Sequence, residues 1–282
     1  MPELPEVETF VADLRPQLVG RHILGAQVLW PRTLAEPDLS AFEARIRDQQ
    51  IVELERRGKY LLCRLGSGDT LIVHLRMTGR LEIVPADSPT LVGPHVRAWF
   101  HLAGGEYLVF TDVRKFGRIW LVADDRQVLD KLGPEPLSWN FTAERLKERL
   151  RDRRVAAKTL LMDQRVVAGL GNIYTDEALF LAGIHPLRTG ASLSDDEVDR
   201  LYEAIRLVLS EAIGQRGTTL RDYRPPYSAA GAYQHRLRVY GQTDLPCPRC
   251  GTAIRRIRVT QRSAHFCPQC QPDLTPSPQG ES

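Results

Sequence analysis

Residues 5–19, PEVETFVADLRPQLV, carry Val7, Phe10, Val11, Leu14 and Leu18 at the three-and-four spacing of one helix face. Pro5 suits a first helical turn, where its fixed φ and missing N–H cost little, whereas Pro16 should kink or shorten the last turns. Gly20 is placed to end the helix. From residue 22 to 122 the pattern changes to short β-branched and aromatic runs: HILGAQVL, QIVELER, KYLLCRL, TLIVHLR, VRAWFHL, EYLVFTD and RIWLV. GSGD at 66–69 and AGGE at 103–106 read as hairpin turns, and strands of this length and spacing predict a sandwich or barrel. Periodicity fades over 124–140, where GPEPLS reads as a linker. Beyond it the helical spacing returns in TAERLKERL, AAKTLLMD, NIYTDEALFLAG and a long segment over 195–214. Ser194 and Glu197 have the spacing of a capping box, with Asp195 and Asp196 at the positive end of the helix dipole. Residues 217–234 read as a long mobile loop, and the tail DLTPSPQGES as disordered.

Composition narrows the class. The chain is 43% hydrophobic and 26% charged, the balance of a globular protein. No apolar run reaches the roughly 18 residues a membrane span needs. The segment MPELPEVETF has neither the basic start nor the apolar core of a secretory signal, so a cytosolic protein with no membrane partner is expected. The formal charge is only +3, but it is unevenly spread: between His235 and His265 there are seven arginines and one aspartate. A compact basic module on a near-neutral body suits a polyanion such as nucleic acid.

That module also holds four of the five cysteines, as Cys247-x-x-Cys250 and Cys267-x-x-Cys270 with 16 residues between the pairs. Four soft thiolates so spaced can close a tetrahedron around one Zn²⁺, leaving no open position for catalysis, so the metal is expected to be structural. A pair of disulfides is the alternative, disfavoured in a cytosolic setting. Cys63, inside KYLLCRL, reads as a small buried hydrophobe. The zinc module alone does not single out an enzyme, because a ribbon with basic strands serves a transcription factor equally well.

Two further segments carry candidate chemistry. Removal of Met1 would leave Pro2 with a secondary α-amine, whose pKa near 8 keeps a useful fraction neutral at pH 7. Such an amine attacking a sugar C1′ yields an iminium ion, an electron sink that acidifies the C2′ proton, and Glu3 beside it could protonate a leaving group. The same PELPE is also an ordinary helix entry with acids placed by the dipole. The second segment, GLGN ahead of a helix starting at Asn172, could offer backbone N–H groups and an amide to a phosphate, supported by Arg153, Arg154 and Lys158 on a preceding helix. It is equally compatible with a helix–turn–helix corner that binds nothing.

Together these residues resemble the formamidopyrimidine-DNA glycosylases (Fpg/MutM) of the Fpg/Nei family, over essentially the whole chain to about residue 271. MPELPEVET, DQRVVAGLGNIYTDEALFLAGIHP and CPRCGTAIRRIRVTQRSAHFCPQC are similar to that family's N-terminus, helix–two-turn–helix and C-terminal zinc finger. The resemblance implies an α+β multidomain fold: an N-terminal helix plus two-sheet β-sandwich at 1–130, a linker at 131–140, a helical domain with the helix–two-turn–helix at 141–232, a β-hairpin zinc finger at 233–272 and a disordered tail at 273–282. DNA would lie in the cleft between the domains. It also implies roles: Pro2 as Schiff-base nucleophile, Glu3 as proton donor of the glycosylase step, Lys59 as proton donor of β-elimination, and Arg262 as the finger-tip residue of δ-elimination. Arg154 and Asn172 would contact the DNA backbone. Met77, Arg114 and Phe116 would fill the gap left by a flipped nucleotide, which must leave the stack before its C1′ can meet Pro2. This chain departs from the family in having Lys115 between Arg114 and Phe116, one histidine at Gly93-Pro94-His95, and RPPYSAAGAYQ in the loop that reads the flipped base.

The implied activity is that of a bifunctional DNA glycosylase and DNA-(apurinic or apyrimidinic site) lyase of base excision repair. It would remove 8-oxoguanine and formamidopyrimidines from double-stranded DNA and cleave the abasic strand by β,δ-elimination, as a monomer in a bacterial cytoplasm. One rival is an endonuclease VIII-like enzyme for oxidised pyrimidines, which Leu4 and the Met77, Arg114, Phe116 trio oppose. Another is a non-catalytic binder of damaged DNA, which Pro2, Glu3 and Lys59 oppose.

Overall fold

The N-terminal apolar stripe forms helix α1 (Leu4–Leu18) in the computed structural model, which describes residues 1–219 and 231–273. Pro5 sits in the first turn, and Gly20 follows the helix with φ +90°. The helix runs through Pro16 to Leu18 rather than stopping short of it. Its buried face, including Val7, Phe10, Val11, Leu14 and Leu18, joins the core of a β-rich unit made of residues 1–131 and 215–234.

All seven expected strands form: β1 (His22–Val28), β3 (Gln49–Arg57), β4 (Tyr60–Leu65), β5 (Thr70–His74), β7 (Val96–Leu102), β8 (Glu106–Asp112) and β9 (Arg118–Val122). Three elements lie outside the expected pattern. Strand β2 (Leu34–Glu36) is too short to show a period. Helix α2 (Leu39–Ile46) buries only Phe42 and Ile46, a single pair four apart. Strand β6 (Gly79–Pro85) follows directly on the turn-like RMTG and offers only a brief alternation. The strands run in the order β2-β9-β5-β4-β3-β1-β7-β8-β6, antiparallel except for β2 with β9. Only two residue pairs, His22 with Gln50 and Ile23 with Gln49, join β1 to β3. That short ladder divides the order into a five-stranded and a four-stranded sheet, and side chains from both meet in one core. Cys63 is part of it, and burial pushes its thiol up to about 12.

The second unit comprises residues 132–214 and 235–282. After the short α3 (Arg126–Leu129) come α4 (Ala143–Leu150), α5 (Ala157–Met162), α6 (Asn172–Ala182) and α7 (Asp195–Gly214), then the hairpin β10 (Arg255–Val259) with β11 (Arg262–Phe266). The expected capping box is made, with the Ser194 N–H donating to Glu197 and the Glu197 N–H to Ser194 Oγ. Helix α6 is buried nearly all round, and that burial includes Asp176 and Glu177. Glu177, 0% exposed, accepts the backbone N–H groups of Arg238, Val239 and Tyr240 at 2.9–3.1 Å. Burial raises its pKa above the ordinary carboxylate range, and the three N–H donors work against that shift. Asp176 accepts the Lys158 ammonium and the His265 N–H, tying α5 and β11 to α6. Two acids on one buried helix therefore anchor both edges of the finger to the helical layer.

Removing the Glu177 carboxylate would orphan three N–H donors, that of Val239 buried and those of Arg238 and Tyr240 partly so, each costing about 1 kcal/mol. We expect Glu177→Ala to lose about 3 kcal/mol of stability and to release zinc faster to a chelator. A denaturation midpoint matching the wild type would show that segment 238–240 is held by something else.

Candidate active site and nucleic-acid interface

In the first unit the chain terminus is unusually well held. Pro2, Glu3 and Glu6 are all buried. Glu3 caps α1 in a reciprocal box: its side chain accepts the Glu6 N–H, and the Glu3 N–H donates to Glu6 Oε2 at 2.8 Å. The other Glu6 oxygen accepts the Thr218 N–H at 2.8 Å. Gly217, at φ +75°, makes that approach possible, because a Cβ there would stand 2.7 Å from Glu6 Oε1. The Thr218 segment is pinned in turn: the Ala232 N–H donates to Gln215 O, the Tyr233 N–H to Gly217 O, and the Thr219 N–H to Gln234. Residues 217–219 and 231–234 are thus tied down, against the expectation of a loop mobile throughout 217–234. Positions 220–230, which hold most of the loop expected to read a flipped base, lie outside the described residues, as does the tail from 274.

Lys59 occupies the two-residue turn between β3 and β4, after Gly58 at φ +57°, and is 5% exposed. Arg56 fixes this turn against α1, donating to Glu8 at 2.7 Å and to Gly58 O at 3.1 Å. Nearby, His74 is buried edge-on against Tyr60 and accepts the Arg76 N–H at Nδ1. Burial, then the positive charges of Arg76 and Lys59, push its pKa down to about 3. A neutral imidazole is the form that can accept at Nδ1.

Met77 is half-buried in the link from β5 to β6, while Arg114 and Phe116 are exposed in the link from β8 to β9. Phe116 is 50% exposed, with the Arg114 guanidinium 5.1 Å from its ring centre. The Lys115 ammonium lies 3.9 Å from the Trp30 ring centre, and Lys115 takes φ +59°. The structure brings all three side chains of the trio to adjacent loops of this unit.

In the second unit, Asn172 opens α6, and its amide donates to Ser263 Oγ at 3.4 Å, next to Arg262 at the hairpin tip. Asn172 Oδ1 is buried with no partner among the described residues. Arg255, Arg256, Arg258 and Arg262 are exposed along the hairpin. Arg153 and Arg154 are exposed in the loop between α4 and α5, not on a helix as expected. Lys158 is no phosphate candidate: it is 1% exposed and spends its charge on Asp176. The four ligating sulfurs of Cys247, Cys250, Cys267 and Cys270 lie within 4.8 Å of one another, with Sγ–Sγ distances of 3.5 and 3.8 Å. Zinc–thiolate bonds of about 2.3 Å at tetrahedral angles require sulfurs about 3.8 Å apart, so the set fits one structural Zn²⁺. Arg249 and Cys270 N–H groups point at Cys247 and Cys267 sulfurs, as donors to thiolates do.

The buried carboxylates that position these groups, Asp112, Asp176 and Glu177, and the turn clamp Arg56, escaped the sequence reading. One signal was present for two of them. In NIYTDEALFLA the acid pair interrupts a helix with no other charged residue, so it has no polar face to occupy.

Comparison with known proteins agrees across the chain. Residues 1–119 match the formamidopyrimidine-DNA glycosylase N-terminal domain, 132–224 the formamidopyrimidine-DNA glycosylase H2TH domain, and 244–272 the zinc finger found in FPG and IleRS. A formamidopyrimidine-DNA glycosylase of Chloroflexus aggregans is 49% identical over 274 residues, covering 96% of this chain and 98% of that protein. A Lactococcus lactis FPG mutant crystallised with Fapy-dG-containing DNA superposes with a TM-score of 0.90 at 36% identity, covering 96% of this chain and 100% of that one. The MutM (FPG) protein of Thermus thermophilus gives 0.86 at 42% identity, covering 96% and 98%.

The His74 environment sets a pH dependence. A histidine held neutral in the fold but protonated when unfolded gives the unfolded state the extra proton, so stability falls as pH drops from 6.5 toward the folded value of about 3. The slope from one such group is at most about 1.4 kcal/mol per pH unit. We expect His74→Phe, which keeps the ring against Tyr60, to flatten the stability–pH curve below pH 6.5 by about one proton. Parallel curves for the two proteins would place the acid sensitivity elsewhere.

Proposed function

Because the chain belongs to the formamidopyrimidine-DNA glycosylase family, we propose that it removes oxidised purines from double-stranded DNA and then cleaves the abasic strand, with Pro2 as its nucleophile. It is a DNA glycosylase and abasic-site lyase of base excision repair. The observation that carries the assignment of Pro2 is the terminus itself: the first residues after Met1 are buried and fastened through Glu6 to Thr218. A flexible terminus would pay a large ordering cost each time it attacked, and a held one has met that cost in folding.

With Met1 removed, the Pro2 nitrogen attacks C1′ and the bond from C1′ to the base breaks. The departing base takes a proton, and Glu3, buried beside Pro2, is placed to manage proton traffic there. Opening of the sugar leaves an iminium cation between Pro2 and C1′. Loss of the C2′ proton then expels the 3′ phosphate, and a second elimination expels the 5′ phosphate. Lys59, held by the Arg56 clamp, serves the first elimination, and Arg262 serves the second. Arg154, Asn172 and the exposed hairpin arginines grip the backbone, so affinity falls steeply with salt. Zinc takes no part in the chemistry and holds the hairpin in shape.

Substrate choice is argued from the gap. Flipping a purine leaves a wide void and an orphaned cytosine. Arg114 can donate to the cytosine O2 and N3 while Phe116 wedges the stack and Met77 fills the space. Adenine presents an amino donor that a donor-only guanidinium cannot match. A well-made bidentate contact is worth roughly 1–3 kcal/mol of discrimination. The working site is the bacterial cytoplasm, where the chromosome lies. No described helix is long and apolar enough to cross a membrane.

Sodium borohydride should trap a covalent complex through Pro2 on 8-oxoguanine opposite cytosine, far more efficiently than on thymine glycol opposite adenine. An uncleaved N-terminal tag should abolish trapping on both. Full trapping by the tagged protein would move the nucleophile to a lysine, and a preference for thymine glycol would overturn the oxidised-purine reading.

A further inference from the structure

The gap-filling side chains sit on two separate links, yet one buried carboxylate serves both. Asp112 ends β8 and is 1% exposed. Its Oδ1 accepts the Thr78 hydroxyl and, at 3.1 Å, the Arg114 N–H. Its Oδ2 accepts the Gly117 N–H at 2.7 Å. Thr78 Oγ1 in turn accepts the same Arg114 N–H at 3.1 Å. Thr78 neighbours Met77, and the Arg114 and Gly117 N–H groups bracket Lys115 and Phe116. The backbone of Asp112 is itself immobilised, its N–H on His95 O and its carbonyl on Arg97 Nε, both at 2.8 Å. Gly117 seals the far end of the link, since a Cβ there would stand 2.3 Å from the Phe110 ring.

These contacts hold the Arg114 and Gly117 backbone directly and the Met77 link through the Thr78 side chain, and leave the side chains of Arg114 and Phe116 projecting. An exposed Phe and Arg on an untethered loop would carry the loop's backbone freedom into the encounter and would lose it on entering DNA. Here the backbone part of that loss is taken during folding. The charge on Asp112 is matched to the task, because a carboxylate accepts up to four donors and cannot itself donate.

We propose that Asp112, relayed by Thr78, is a positioning residue that locks the Met77 link and the Arg114–Phe116 link into one preformed wedge. This rests on the reading of those three side chains as gap fillers, given above. The wedge should matter wherever a base has to be displaced from a duplex, and not where none is.

The test compares Thr78→Val, Thr78→Ser, Asp112→Asn and Arg114→Ala. Valine keeps the shape of threonine but ends both hydrogen bonds of the hydroxyl, and serine restores them. Three quantities are measured: melting temperature, excision of 8-oxoguanine opposite cytosine and opposite adenine, and cleavage at a pre-formed abasic site in single-stranded DNA, which has no gap to fill. Thr78→Val should excise from the duplex about tenfold more slowly and lose part of the cytosine preference, while single-strand cleavage stays within about twofold of wild type. Thr78→Ser should recover most of the loss. Asp112→Asn, which turns one acceptor into a donor facing N–H groups, should show the same pattern more strongly. Equal loss on duplex and single strand would mean that the pair merely supports the fold, and unchanged duplex excision would remove its role altogether. Arg114→Ala separates the two layers of the argument. If it too keeps the cytosine preference, the gap-filling reading fails and the latch with it. If it loses the preference while Thr78→Val keeps it, only the latch is wrong.

Discussion

The proposed reaction uses the first amine of the chain, and so must hold still the part of a protein that is ordinarily least ordered. Here that constraint falls on Glu6. Its two oxygens reach the Glu3 N–H on one side and the Thr218 N–H on the other, both at 2.8 Å and out of contact with water. In a low-dielectric surrounding such bonds are strong and an unpaired carboxylate would be costly, so the arrangement is close to all-or-none. Arg216 adds a charge pair to Asp13 further along α1. The stretch of chain after α7 is thereby fastened to the N-terminal helix, although some two hundred residues separate them in sequence.

The same device recurs at three more places. Asp112 gathers the Met77 link and the Arg114–Phe116 link, Asp176 gathers α5 and β11, and Glu177 gathers the chain entering the zinc finger. Asp112 and Glu177 accept backbone N–H groups of links outside the helices and strands, whereas Asp176 pairs with the Lys158 ammonium and takes one N–H from strand β11. Irregular segments cannot satisfy their own N–H groups as helices and sheets do, and a carboxylate is the most economical acceptor for several at once. The exposed groups on these segments are the opposite in character: arginines on the hairpin, Arg114 and Phe116 on the link from β8 to β9. Rigid acidic interiors therefore carry basic and aromatic exteriors, a division that suits a protein whose ligand is a polyanion.

Lys158 shows how composition can mislead. Near Arg153 and Arg154 in sequence, it invited the same reading, but its side chain turns inward to Asp176. Arg153 and Arg154 stay in the exposed loop before α5, while Lys158 lies inside the helix, where the packing of α5 on α6 turns it away from solvent. The reverse holds for Cys63, whose place in an apolar run was enough to predict its burial.

The sequence by itself determined the elements and the chemistry that depends on local spacing. Period and turn residues located α1, seven strands and four helices, because burial of a regular face leaves a regular trace. The two CxxC pairs specified the zinc site, because each pair sets two sulfurs by local geometry, and MPELPE marked the terminus. What only the tertiary structure decided is which distant groups share a hydrogen bond. Glu6 with Thr218, Asp112 with Thr78, Arg56 with Glu8 and Asn172 with Ser263 join residues from 34 to 212 positions apart. No periodicity records such a pairing, since a single acceptor leaves no pattern along the chain. It exists only where the folded backbone brings a buried acceptor and an unsatisfied donor together.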